Sequence, residues 1–189
     1  MARNVRLVIV CEDILHRVFL TKFLYQRGFT PHQLTFRTAP AGVGDAKRYV
    51  CDALCVELKA LRKFRRNAHG LVYVVDADNL SVAERLHCME LACSSAGVDP
   101  PKSDEPVFGV IPKWEIENWL AYLRVGEVDE SVNNYDKYRG CESDIAPLVK
   151  ALADKCAQHE QLSKVPPSLE EACGVCRRFE EWKRTSASS

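Results

Sequence analysis

Apolar positions along this chain fall into two alternating periods. Residues 5–11 (VRLVIVC) form a near-continuous apolar run of strand length, as expected of a strand covered on both faces. Ile14, Val18, Leu20, Phe23, Leu24 and Tyr25 then recur at helical spacing, and Gly28 supplies a C-cap. Residues 33–38 alternate polar and apolar and predict a second strand, nearer a sheet edge. A Pro-Ala-Gly-Val-Gly loop at 40–44 leads into a long helix ending near residue 66. Residues 71–76 (LVYVVD) give the strongest strand signal in the chain. A helix over 82–95, a proline-rich loop over 99–106, a buried strand over 107–111 and a helix over 115–123 follow.

Strands separated by helices need crossover connections. The prediction is therefore an α/β fold, a Rossmann-like and mainly parallel sheet with helices on both faces. From residue 125 onward the strand signals stop, and 141–158 and 168–183 predict two more helices. Ser168 with Glu171 three residues later reads as a capping box for the second of them, and the small polar tail 185–189 as frayed. The organisation expected is a core over 1–124 and a C-terminal helical extension over 125–189 that packs back on it.

Composition narrows the setting. At 189 residues the chain is long enough for one well-filled core, and with 28% charged residues it is neither disordered nor fibrous. No apolar run approaches the roughly 18–20 residues of a membrane helix, and residues 7–11 are too short for the apolar part of a signal peptide. The nine cysteines, odd in number and scattered in spacing, read as reduced thiols of a cytoplasmic protein. Cys173-Gly174-Val175-Cys176 has no second pair at zinc spacing and falls in helical period, which makes these cysteines small core residues.

The formal net charge is zero, which by itself argues against nucleic acid. The balance is a cancellation, however. Residues 1–70 hold 13 Lys and Arg against 5 Asp and Glu, and residues 71–189 hold 13 against 21. The densest basic run is Lys59, Arg62, Lys63, Arg65 and Arg66. It reads either as a solvated helix face or as a phosphate-contacting patch.

The acids are placed more tellingly. Ligands of open α/β sheets bind beyond the carboxyl ends of the strands. Glu12 and Asp13 follow the first strand, Asp76 and Asp78 follow the central one, and Lys113, Glu115 and Glu117 follow the next. Carboxylates gathered at one crevice repel unless a cation or proton neutralises them. Hard oxygen donors suit one or two Mg²⁺ or Mn²⁺ ions, which activate water at a phosphodiester. Helix chemistry competes for some of these residues, since Asp at an N-cap or in a first turn stabilises a helix unaided. Glu115 and Glu117 stand about 200° apart around a helix and cannot both face one site, but the apolar pattern does not choose between them.

At this point the sequence resembles the Toprim domain, and most of all the short Toprim-like proteins related to the nuclease part of the overcoming-lysogenization-defect family. Val8-Ile9-Val10-Cys11-Glu12 matches the strand-then-Glu motif, and Val74-Val75-Asp76-Ala77-Asp78 the Asp-x-Asp motif. Residues 111–120 (IPKWEIENWL) match the later Glu-Ile-Glu-x-Trp-Leu segment. Pro167-Ser168-Leu169 also fits, so the likeness spans nearly the whole chain. The resemblance implies that Glu12 is a general acid/base or metal ligand. It implies that Asp76 and Asp78 hold the divalent ion, with Glu115 or Glu117 completing the site. It implies phosphodiester cleavage, DNA more than RNA as substrate, and a separate ATPase subunit as partner. The departures are Asp13 where many members have Gly, and Trp114 where a basic residue is common.

Two other readings stand beside it. One is a non-catalytic Toprim-like subunit that binds a partner. The other is a receiver-like signalling domain, in which Asp76 accepts phosphate and Lys113 senses it. Gly42-Val43-Gly44 lacks the Gly-Lys-Ser/Thr ending of a nucleotide loop, so no ATP hydrolysis is expected of this chain. The five histidines show no pairing with a nucleophile and read as surface or satisfied residues, and the three tryptophans as core.

Overall fold

The structure is a computed structural model that describes residues 5–42, 44–64, 68–135, 137, 138, 140 and 142–188. Four strands, β1 (Arg6–Cys11), β2 (Leu34–Thr38), β3 (His69–Val74) and β4 (Val107–Val110), form one all-parallel sheet in the order β2-β1-β3-β4. Six helices accompany them: α1 (Ile14–Gln26), α2 (Ala46–Lys63), α3 (Val82–Ser95), α4 (Ile116–Val125), α5 (Glu142–Gln158) and α6 (Pro167–Ser188). The α/β fold with a parallel sheet and added C-terminal helices is thus the one predicted. Among the described residues no helix is long and apolar enough to cross a membrane.

Pleat and period explain the layering. In β1, Leu7, Ile9 and Cys11 face one core with α1, α4, α5 and α6, while Val10 faces the other with α2 and α3. Both faces are covered, which is why the strand reads as an unbroken apolar run rather than an alternation. Local chemistry starts the helices where they begin. Asp13 and Asp45 accept the backbone N–H of His16 and Arg48 at 2.8 and 2.9 Å, and Ser81 with Glu84 forms a capping box.

The C-terminal segment differs from expectation in three ways. Ser168 is not a cap: α6 starts with Pro167 at its first position, and Ser168 is buried. Its hydroxyl oxygen accepts Trp119 Nε1 at 2.8 Å and the Lys113 N–H at 3.1 Å, and donates to Glu130. The helix also runs on through 185–188, held by Thr185 on the carbonyls of Glu181 and Trp182 and by Lys183 on the Arg27 carbonyl at 2.8 Å. Finally, Cys156 of α5 and Cys173 of α6 are joined as a disulfide where reduced thiols were expected, because packing of the two helices sets their Cα atoms 5.5 Å apart. Trp182 packs beside Phe108 and Phe179, and it lies so close to Gly70 that a Cβ there would stand 2.8 Å from its ring.

Candidate active site

The strand order fixes where a site can form. The chain leaves β1 toward β2 on one side and then crosses back to β3 on the other, so helices α1 and α2 diverge and leave a crevice at the carboxyl ends of β1 and β3. Glu12 directly follows β1, and Asp76 lies two residues past β3. The Asp76 backbone N–H donates to Glu12 Oε1 at 2.6 Å, and both side chains are buried. The loops after β3 and β4 continue side by side beyond the sheet. Ala77 N–H donates to the Pro112 carbonyl at 2.9 Å, and Asp78 N–H to the Trp114 carbonyl at 3.2 Å.

That last pairing holds two residues in the left-handed region, Asp78 at φ 52° and Trp114 at φ 65°. Asp tolerates this conformation, while a bulky residue there is an outlier that the surroundings must enforce. The turn at Trp114 sends its two neighbours in different directions. Lys113 Nζ reaches back to the carbonyls of Asp78 (2.9 Å) and Leu80 (2.7 Å) and lies 4.1 Å from the centre of the Trp114 ring. Lys113, expected as a catalytic residue, is therefore tied to the backbone of the 78–80 loop, a buttress beneath Asp78. Glu115 turns to the 135–137 segment, accepting the Tyr135 hydroxyl at 3.1 Å and pairing with Lys137 at 3.0 Å.

Glu117 takes the other direction. It is half-buried, and apart from its own N–H its carboxylate has no hydrogen-bond or ion-pair partner among the described residues. Burial pushes its pKa up, and the neighbouring charges of Glu115, Asp76 and Asp13 push it further. Glu115 is thus engaged by Tyr135 and Lys137, and Glu117 is not. Glu117 is the one left without a cation on the Asp76 side.

Three residues that the sequence did not single out complete the electrostatics. His16, wholly buried, sits under Asp76 with Nε2 3.0 Å from Oδ1. Its Nδ1 lies 3.3 Å from Asp13 Oδ1 as an ion pair, without the alignment of a hydrogen bond. Burial opposes charge on the ring, but the Asp76 carboxylate beside it and the hydrogen bond to it outweigh that, and the pKa rises to about 9. Asp76 itself is pushed up by burial, which His16 counters only in part. Lys47, at the start of α2, bridges Glu12 Oε2 (3.2 Å) and Asp78 Oδ2 (2.9 Å). Arg85, from α3, reaches Asp78 Oδ2 at 3.3 Å and the Ala77 carbonyl at 3.2 Å. Burial and then Asp76 raise the pKa of Glu12, against the Asp76 N–H and Lys47. A His four residues after Glu12, on the face that carries Phe19 and Leu20, was the signal available for His16. Lys47 and Arg85 carry no such mark, because they reach the crevice only through the crossover of α2 and α3.

The basic run stands away from this crevice. Helix α2 runs antiparallel to the strands, so its first turn, with Lys47, lies at the crevice and its last turn lies at the other end of the sheet. Sixteen residues at 1.5 Å rise put Lys63 about 24 Å from Lys47 along the axis. Arg62 is engaged within the fold. Its guanidinium forks onto Glu105 (2.7 and 2.8 Å) and donates to the carbonyls of Asp99 (2.8 Å) and Pro100 (2.9 Å). Lys59 and Lys63 remain exposed, and Arg65 and Arg66 lie outside the described residues.

Chemically, the crevice offers oxygen donors and cations. Among the described residues no three His, Cys, Asp or Glu side chains are drawn together closely enough to hold a metal ion. The donor set nevertheless suits a hard cation that takes few protein ligands: Glu117 lacks a counter-charge, and Asp76 and Asp78 each keep an oxygen that His16, Lys47 and Arg85 do not engage. In comparisons with known proteins, no family model, no curated protein and no solved structure matches the chain.

Proposed function

We propose that the chain is a divalent-metal-dependent phosphodiester hydrolase, a Toprim-type DNA nuclease that works in the cytoplasm beside a separate ATPase subunit. The observation that carries this reading is that Glu12 meets Asp76, and through Lys47 Asp78, at the switch point of the sheet, while Glu117 has no cation partner among the described residues. Burying negative charge in this way costs stability, a cost characteristic of functional sites. Asp76 and Asp78 would hold Mg²⁺ or Mn²⁺, with Glu12 and Glu117 beside them. Mg²⁺ keeps water and phosphate oxygens for most of its shell, so an open set of one or two carboxylates meets its demand. When bound, such ions activate a water and stabilise the leaving oxygen of a phosphodiester.

The remaining work falls to the chain's own groups. Glu12, held above the usual carboxylate range, is suited to take and return a proton at Oε2. His16 positions Asp76 by fixing Oδ1, and the Asp13 carboxylate stands 3.3 Å from its other ring nitrogen. Lys47 and Arg85 supply positive charge for a phosphate at the mouth of the crevice. Lys113 holds the 78–80 loop, and with it Asp78, in place.

One observation favours a second reading. The Lys47 ammonium between Glu12 and Asp78 already balances part of the acidic charge, as a non-catalytic Toprim-like subunit would require. The receiver reading is disfavoured, since Lys113 is bound to loop carbonyls rather than set beside the Asp76 carboxylate.

A cleavage assay on single- and double-stranded DNA, with and without a neighbouring ATPase, tests the proposal. The expected result is Mg²⁺- or Mn²⁺-dependent cleavage that EDTA abolishes and that Glu12→Gln or Asp76→Asn lowers about a hundredfold or more. Folded wild-type chain that cleaves nothing under these conditions would point to the partner-binding reading. Phosphate transfer to Asp76 from acetyl phosphate would restore the receiver.

A further inference from the structure

Helix α1 and the edge strand β2 enclose a groove of about 480 Å³ whose near end, at Ile14, lies two residues from Glu12. Arg17, Thr21, Lys22 and Tyr25 line its helix side, and Phe36 lies on its strand side. No acidic residue lines it. Ile14 and Tyr25 are 57% and 40% exposed, high values for such side chains, so apolar and aromatic surface is offered to a ligand.

Part of the chain's cations are held by carboxylates within the fold. Arg27, Arg37, Arg62, Arg85 and Lys47 each have a carboxylate partner within 3.3 Å. Arg17 and Lys22 have none among the described residues. Arg17 instead lies over the Phe36 ring, 5.4 Å from its centre, which fixes the guanidinium along the groove wall. The groove runs from Ile14 to Tyr25, about 16 Å at 1.5 Å per residue. Cations along a groove, with an exposed aromatic ring at its wall, are a means by which proteins hold single strands: the charges follow the phosphates and the ring stacks on a base. A duplex presents its bases already stacked and has no use for such rings.

We propose that this groove is the path by which a single-stranded nucleic-acid end enters the carboxylate crevice. The inference rests on the nuclease reading above and adds to it the strandedness and the direction of approach. It also gives the basic half of the chain a use that the run at 59–66 does not supply.

Fluorescence anisotropy of a short labelled oligothymidylate, with Ca²⁺ in place of Mg²⁺ to suppress cleavage, tests it. Arg17→Glu/Lys22→Glu should weaken binding at least about tenfold and lower the salt slope by roughly 0.7 per cation removed. Tyr25→Ala should weaken binding about fivefold with the slope unchanged. Lys59→Glu/Lys63→Glu, on the far end of α2, should leave affinity as it was. Urea unfolding checks that each variant is folded. No binding by the wild-type chain overturns the proposal, as does equal loss in the α2 variant. Undiminished binding in the groove variants also overturns it, the result expected if the free edge of β2 takes a polypeptide strand instead. If the groove variants lose binding while wild-type chain fails to cleave with Mg²⁺ or Mn²⁺, the groove stands and the nuclease reading falls. If cleavage of single strands persists at the wild-type rate in the groove variants, the reverse holds.

Discussion

Arg62→Met is expected to lower the free energy of unfolding by about 4 kcal/mol, read from urea denaturation, and to leave nucleic-acid binding unchanged. The size follows from what the guanidinium leaves behind. Glu105 is only 4% exposed at its side chain, and the carbonyls of Asp99 and Pro100 are bound by the same group. Removing the guanidinium takes two charge-assisted donors from a carboxylate in a poorly solvating site and one from each of the two carbonyls, and breaking such a pair costs several kcal/mol. Arg62→Lys should recover only part of the loss, because an ammonium cannot fork onto a carboxylate and reach two carbonyls at once. A loss below about 1 kcal/mol in Arg62→Met would mean that this corner relaxes and lets water in. Nucleic-acid binding that falls with it, in folded protein, would restore Arg62 to the phosphate-contacting role.

His16→Ala should destabilise the metal-free chain by about 3 kcal/mol, and Asp76→Asn should shrink that effect. His16 is wholly buried between Asp76 and Asp13 and carries its charge because Asp76 carries the opposite one. Without the ring, Asp76 keeps only its more distant attraction to Lys47, and burial then works against its ionised form. In the Asp76→Asn background the ring no longer has a charge to balance, so its removal matters less. A double-mutant cycle by urea denaturation measures the coupling, expected above about 1 kcal/mol. Strict additivity would mean that His16 serves packing alone. Since His16 is a positioning residue, His16→Ala should also weaken binding of the divalent ion, which a mere loss of packing elsewhere would not do.

Much of the fold was legible because its strands are buried on both faces. Apolar runs such as 5–11 and 71–76 give a parallel sheet away, and the helix read over 82–95 is α3. The carboxylates were legible too, for the end of a strand is a position along the chain. What the sequence hid depends on contacts between distant segments. The difference in partners between Glu115 and Glu117 turns on the left-handed backbone of Trp114, which no local pattern demands. Ser168 looked like a cap because Glu171 stands at the right spacing, but Trp119, Lys113 and Glu130 claim its hydroxyl. The surroundings of the basic run were hidden for a similar reason. Spacing shows that Arg62 shares a helix with Lys59 and Lys63, but not that Glu105 lies opposite or that this end of α2 points away from the crevice.

The central claim is that the crevice between β1 and β3 is a divalent-cation site. Calorimetric titration of the purified chain with Mn²⁺ tests it most directly. The account predicts saturable binding of one or two ions, weakened at least about tenfold in Asp76→Asn and in Glu12→Gln. It also predicts a Tm that rises with Mn²⁺ only when these residues are intact, since an ion that binds the folded state alone stabilises it. No saturable binding, or binding unchanged in both variants, would contradict it.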